Sequence, residues 1–101
     1  MGIREFLLQS GIYPNMNGYY PIILAVDYVK ESLLKGKKLS ITKELYPKIA
    51  EKLGTTPTKV ERNIRTCVQK IKKEQLKKIG IVNSPSNSEF IYVFAENNIG
   101  I

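Results

Sequence analysis

The sequence contains no histidine and a single cysteine, Cys67. Without histidine the most common general base is missing, and Cys67 has no imidazole to activate it as a nucleophile. A lone cysteine forms no internal disulfide, and a conventional zinc site has too few ligands. The nine acidic residues are scattered singly, and no GxxxxGK[ST] phosphate loop is present. These absences count against an enzyme and predict a protein with no cofactor and no structural metal.

Long apolar runs are absent as well. No stretch approaches the roughly 20 residues that cross a bilayer, and the first ten residues, MGIREFLLQS, lack the apolar region of a signal peptide. With 101 residues, 43% of them hydrophobic and 25% charged, the chain has the size and composition of one globular domain. We therefore expect a single domain over 1–101, located in the cytoplasm, with no membrane partner.

Positive charge is abundant and unevenly placed. Lysine and arginine number 16 against nine acidic residues, which gives a formal net charge of +7. Residues 57–78 hold eight of the positive side chains and two of the negative ones, so this segment alone carries +6. Such a concentration is typical of an element that binds a polyanion, and a solvated lysine-rich helix surface gives the same pattern.

Helical spacing and helix-ending residues dominate the chain, whereas strand-like alternation is nearly absent. The fold class predicted is all-α, a compact bundle of five or six helices that contains a helix-turn-helix. A first helix should span Ile3–Ser10 and end at Gly11. A second should begin near Pro21, run to about Leu34 and end at Gly36.

Proline and capping residues divide the rest of the chain. The residue before a proline is pushed out of helical dihedrals, so Tyr46–Pro47 should separate a short helical turn from a compact helix at about 47–53. A last helix should start at the capping pair Ser86 and Glu89 and dock through an aromatic face.

A helix-turn-helix is predicted at about 47–73. Gly54 ends the compact helix, Thr56 can cap the next one, and Pro57 can take its first position. Two helices joined by a glycine-containing turn of roughly three to four residues are the signature of this motif. The second helix should run from Pro57 to about Lys73 and read the major groove of DNA.

This second helix has one apolar and one polar face. Its apolar residues fall within about 100° on a helical wheel and should face the core; they are Val60, Ile64, Cys67, Val68 and Ile71. The remaining surface carries the types that match base edges, since Arg and Lys pair with guanine, Asn with adenine and Glu with cytosine. The predicted DNA-binding residues are Thr58, Lys59, Glu61, Arg62, Asn63, Arg65, Thr66, Gln69, Lys70 and Lys73.

Five lysines at the end of this segment should position the protein on DNA. Phosphate contacts fix register, whereas contacts to bases specify sequence. We call these lysines the basic cluster; they are Lys70, Lys72, Lys73, Lys77 and Lys78.

The run SITKELYPKIAEKLGTTPTKVERNIR (Ser40–Arg65) closely resembles the DNA-binding effector domain of the stage-zero sporulation protein A family, response regulators of endospore-forming Firmicutes. GIYPNMNGYYPIILAV (Gly11–Val26) and PSNSEFI (Pro85–Ile91) are similar to further parts of that domain, in the same order. The resemblance implies a transcription regulator whose target box is like TGTCGAA.

The resemblance also implies which side chains meet DNA. It puts four of them at or near the groove floor and the phosphates: Lys59, Glu61, Arg62 and Arg65. Lys59 stands where the family usually has arginine, and a lysine donates to guanine without the two-pronged guanidinium geometry, which relaxes the base preference expected there. Asn63 and Thr66 also depart from the family's usual residues.

Regulation should differ from the family's, because its regulators carry an N-terminal phosphoreceiver domain and this chain begins almost directly at the effector domain. We expect no aspartate switch in cis and constitutive binding, unless abundance or a partner controls it. The segment between the recognition helix and PSNSEFI is shorter than the family's, and KIKKEQLKK (Lys70–Lys78) replaces much of it. In the family this region helps neighbouring domains meet on tandem sites.

Two other functions stay open at this point. The missing receiver suggests a protein-binding modulator of a full-length sporulation regulator, and the lysine-rich segment suggests non-specific binding of nucleic acid, including RNA. The second would show steep salt dependence with little sequence preference. Candidate partners are therefore double-stranded DNA, RNA polymerase or a sporulation regulator, and a second copy of the chain as a homodimer on tandem sites, all at the nucleoid.

Overall fold

Six α-helices make up the part of the chain that the computed structural model describes, residues 1–98. They are α1 (Ile3–Gln9), α2 (Tyr19–Leu34), α3 (Tyr46–Leu53), α4 (Pro57–Lys70), α5 (Lys73–Lys77) and α6 (Asn87–Asn97). Residues 1–98 contain no β-strand, and none of their helices has the length and apolar composition to cross a bilayer. The predicted all-α bundle is confirmed.

The core is built around α2, which contacts α1, α3, α4 and α6. Three phenylalanines link the two ends of the chain: the Phe6 ring on α1 lies 5.8 Å from Phe90 and 5.2 Å from Phe94, both on α6. All three are buried, and centroid distances in this range are favourable for aromatic pairs. The predicted aromatic face of α6 therefore does dock into the core.

Helix ends follow the capping residues. Thr56 Oγ1 accepts the Lys59 N–H at 3.2 Å, and Ser86 Oγ accepts the Glu89 N–H at 3.1 Å. These bonds satisfy amides that have no partner inside the helix. Such local signals explain why the predicted starts of α4 and α6 agree with the structure.

The predicted division into a short helical turn and a compact helix near Tyr46–Pro47 is present, but Tyr46 keeps helical angles, contrary to the prediction. Ile41–Leu45 form one π-helical turn that runs directly into α3, and Tyr46 has helical angles (φ −61°, ψ −45°). The Tyr46 N–H donates to the Ile41 carbonyl, five residues earlier. Pro47 lies in the first turn of α3, where a proline is favoured because the N–H that it lacks is often without a partner there.

The predicted end of α4, the second helix of the helix-turn-helix, was wrong. α4 stops at Lys70, Ile71 is extended (φ −71°, ψ 125°), and Lys73 begins α5. On one continuous helix Ile71 and Leu76 would point about 140° apart. The break lets both side chains enter the core, where they are 6% and 3% exposed. Lys73 therefore does not lie on the polar face of α4.

Candidate nucleic-acid interface

The outer face of α4 carries nearly all the predicted DNA-binding side chains. It is turned outward because the opposite stripe is buried in the core, and that stripe consists of Val60, Ile64, Cys67 and Val68. Glu61 and Asn63 are half-buried on the flanks. The exposed residues are Thr58, Lys59, Arg62, Arg65, Thr66, Gln69 and Lys70. Nine of the ten predicted residues thus lie on this helix, and Lys73 on α5 is the exception.

A turn of residues 54–56 joins α3 to α4, and the two helices pack against each other. Gly54 has left-handed angles (φ 69°, ψ 39°), which favour glycine. The Thr55 N–H donates to the Ala50 carbonyl at 2.9 Å. A connection of this length, with a glycine in it, is what a helix-turn-helix uses.

Glu61 and Arg65 form an ion pair along α4. Arg65 Nη1 lies 2.8 Å and 3.0 Å from the two Glu61 carboxylate oxygens. An exposed pair of this spacing stabilises a helix by only about 0.3–0.5 kcal/mol, so its main effect is on orientation. Only Nη1 donates to Glu61, which leaves other nitrogens of the guanidinium to meet a ligand. Glu61 was predicted as a base reader, and in the structure its carboxylate contacts Arg65.

Sequence reasoning missed Asn87. This residue is polar and yet buried, with an exposure of only 9%. Its Nδ2 donates to the Tyr46 hydroxyl and to the Glu61 backbone carbonyl, both at 3.1 Å, and lies 3.5 Å from Glu61 Oε2. Burial raises the pKa of the Tyr46 hydroxyl, and the Asn87 bond opposes part of that rise. The hydroxyl is therefore neutral at physiological pH. No local pattern shows this contact, because its partners lie 41 and 26 residues away.

The loop before α2 supports α4 from another side. A Cβ at Gly18 would lie 2.4 Å from the Asn63 carbonyl oxygen and 2.5 Å from Cys67 Sγ. Gly18 has a negative φ of −89°, so the position needs glycine for space and not for backbone conformation. The close approach of Gly18 fixes α4 against the start of α2. Burial also raises the pKa of the Cys67 thiol, which keeps the thiol protonated.

Replacing Gly18 by alanine should therefore destabilise the fold. A contact this short forces backbone or side chains to move, and overpacking of this kind typically costs about 1–3 kcal/mol. The free energy of unfolding, measured by urea denaturation, is the readout. Gly2→Ala is the matched control, because a Cβ at Gly2 meets nothing within 4 Å. Equal stability of the two variants would contradict the close approach of Gly18 to α4.

Two lysines of the basic cluster border different clefts. Lys70 ends α4 and borders a cleft with Asn63 and Thr66, whereas Lys72 borders a separate cleft beside the end of α1. All five lysines are exposed. Among residues 1–98, no three acidic or cysteine side chains lie close enough together to hold a metal ion. The chemistry available at this surface is hydrogen bonding and positive charge.

Residues 3–97 match the family described as "Sporulation initiation factor Spo0A C terminal". The match includes the whole of α4, the basic cluster and Asn87, and it confirms the resemblance seen in the sequence motifs. This family is a DNA-binding domain that regulates transcription in sporulation, and it is not a known family of enzymes. The chain therefore belongs to the family of the C-terminal, DNA-binding domain of the sporulation initiation factor Spo0A.

Proposed function

We propose that the protein is a sequence-specific transcriptional regulator that reads the major groove of DNA with α4. In this proposal α3 and α4 form the helix-turn-helix of a single domain over 1–101. The observation that carries it is the outer face of α4, which exposes cationic, amide and hydroxyl side chains opposite a buried apolar stripe. A helix with its side chains is about 10–12 Å across, which fits a groove about 12 Å wide, and the 14 residues of α4 give it a length of about 21 Å along that groove.

Different parts of this surface have different roles. Lys59 and Arg62, in the first half of α4, contact base edges, since the N-terminal part of a recognition helix meets the bases. Arg65, oriented by Glu61, follows one turn later. The remaining α4 residues meet bases or the backbone nearby; they are Thr58, Asn63, Thr66 and Gln69. The basic cluster holds phosphates and sets the register.

Partners and location follow from this function. The main partner is double-stranded DNA at the cytoplasmic nucleoid. Two copies would bind side by side on tandem sites, and RNA polymerase is the protein that such a regulator would contact.

The test is binding to a labelled duplex that carries TGTCGAA, compared with a scrambled duplex of the same composition. We expect a preference of about 10³-fold or more, since specific sites usually exceed non-specific ones by that margin. Equal binding would call for selection from random sites, and the absence of any enriched motif would overturn sequence-specific reading. No binding to any duplex would favour a protein-binding modulator instead.

Arg62→Ala should weaken binding to the preferred duplex by about 1–3 kcal/mol and relax specificity at one base pair. The reason is that an arginine donates two hydrogen bonds to guanine, and alanine leaves those acceptors unpaired. The measurement is the dissociation constant on the preferred duplex and on duplexes changed at single base pairs. Arg4→Ala on α1 is the control, because it removes the same charge outside α4. Unchanged specificity in Arg62→Ala would show that the proposed groove geometry is wrong.

A further inference from the structure

A buried hydrogen-bond network lies where α3, α4 and α6 meet. Asn87 Nδ2 donates to the Tyr46 hydroxyl and to the Glu61 carbonyl, both at 3.1 Å, and its two hydrogens are shared with Glu61 Oε2 at 3.5 Å. Burying a polar group is unfavourable unless it is bonded, so these bonds favour one arrangement of the elements around them. Asn87 therefore holds α6 in one position against α4.

This network continues from the core to the outer face of α4. Glu61 Oε2 lies 3.5 Å from Asn87 Nδ2 and 3.0 Å from Arg65 Nη1, so the Glu61 carboxylate stands between the buried amide and the guanidinium. Exposure rises along this path, from 9% for Asn87 to 34% and 50% for the Glu61 and Arg65 side chains. A buried anchor is thus connected to an exposed cation through one carboxylate.

Orientation matters for an exposed arginine, because a free side chain samples many rotamers and loses that freedom when it binds. Holding the guanidinium in place beforehand lowers this cost and limits the directions in which it can donate. A cleft of about 340 Å³ beside the network is bordered by Glu61, Arg65, Gln69 and Asn87. Half of the Arg65 side chain is exposed and only its Nη1 contacts Glu61, so a ligand can reach the other guanidinium nitrogens.

We propose that Asn87 is a positioning residue for DNA recognition, which holds Glu61 and, through it, the Arg65 guanidinium in the orientation that reads DNA. The inference rests on the proposed function of α4. In this proposal α6 contributes to base discrimination, although it carries none of the predicted DNA-binding residues. Asn87 itself makes no contact with DNA in this scheme.

The first test uses Asn87→Ala with Asn97→Ala as its matched control. Asn97 lies at the other end of α6, and its Nδ2 donates to the Ile79 carbonyl at 2.9 Å, so the control also removes an amide-to-carbonyl bond from this helix. The measured quantity is the dissociation constant for a duplex changed at the base pair where Arg65→Ala loses discrimination, divided by the dissociation constant for the preferred duplex. We expect Asn87→Ala to reduce this ratio about tenfold, since a well-placed arginine supplies discrimination of that order. Asn97→Ala should leave it unchanged.

A merely structural role would weaken binding to preferred and scrambled duplexes alike, and that result would overturn the proposal. The double variant supplies a further check. In the Arg65→Ala background, Asn87→Ala should have no additional effect on the ratio, because the group it positions is gone. An additive effect would show that Asn87 acts by another route.

A second readout needs no DNA. NMR relaxation of the Arg65 guanidinium should show a restricted side chain in the native chain and in Asn97→Ala, and a mobile one in Asn87→Ala. An equally restricted Arg65 in Asn87→Ala would overturn the inference.

If the native chain fails to discriminate between duplexes, the proposed function fails, and the relaxation data still decide whether Asn87 positions Arg65. Should Asn87→Ala not fold, Asn87→Leu fills a similar space without any hydrogen-bond donor or charge, and is expected to mobilise Arg65.

Discussion

Replacing Phe6 by alanine is expected to lower the free energy of unfolding by about 3–5 kcal/mol. The Phe6 ring is fully buried and contacts two phenylalanines of α6, Phe90 and Phe94. Alanine would remove both aromatic contacts and leave a cavity between the two ends of the chain, which a close-packed interior cannot fill by small movements. Since domains of this size are stable by only about 5–15 kcal/mol, the variant would lose a large part of its stability.

Urea denaturation followed by circular dichroism measures this loss as a lower midpoint at an unchanged slope. The control is Tyr13→Ala, which removes an aromatic ring that is 48% exposed and should change stability by no more than about 0.5 kcal/mol. A loss below about 1 kcal/mol in Phe6→Ala would contradict a close-packed aromatic cluster between α1 and α6.

Raising the salt concentration from about 50 to about 200 mM should weaken binding to any duplex by about 500-fold. Each lysine of the basic cluster that neutralises one phosphate releases counterions, so five such contacts give a slope of about −4.5 in a plot of log affinity against log salt. The preference for the specific duplex should largely remain, because base contacts carry it. Titrations at several salt concentrations, on preferred and scrambled duplexes, measure both quantities.

Two double variants show whether the basic cluster causes this dependence. Replacing Lys77 and Lys78 by alanine should make the slope less steep by about 1.8, since two phosphate contacts are lost. Replacing Lys37 and Lys38 removes the same charge from an exposed lysine pair in the loop after α2, and should leave the slope nearly unchanged. The same reduction in both variants would assign the salt dependence to net charge and not to the basic cluster.

The prediction for Tyr46 applies an average preference, since residues before proline usually avoid helical angles, yet Tyr46 follows the π turn Ile41–Leu45 with φ −61° and ψ −45°. The predicted continuation of α4 to Lys73 follows helical spacing, whereas burial of Ile71 and Leu76 together requires a bend at that point. Hydrophobic burial outweighs local helix preference in such cases.

The sequence predicted which side chains form the candidate interface, but not how those side chains contact one another. The buried stripe of α4 decides which side chains face outward, and that stripe is visible as spacing in the sequence. The pairing of Glu61 with Arg65 is compatible with their spacing of four residues, yet spacing does not tell whether a carboxylate meets a base or a neighbouring guanidinium. Asn87 appears in the sequence only as the residue after a helix cap.

Local sequence was enough to locate the starts of α4 and α6, the apolar faces and the family, because caps, glycines and periodic side chains act within one or two turns of backbone. Tertiary packing sets where α4 ends, why Gly18 has no room for a side chain, and which groups Asn87 contacts. These depend on atoms that come together from residues up to 49 positions apart, as Gly18 and Cys67 are. Their distances are set by packing of whole helices, which no local pattern encodes.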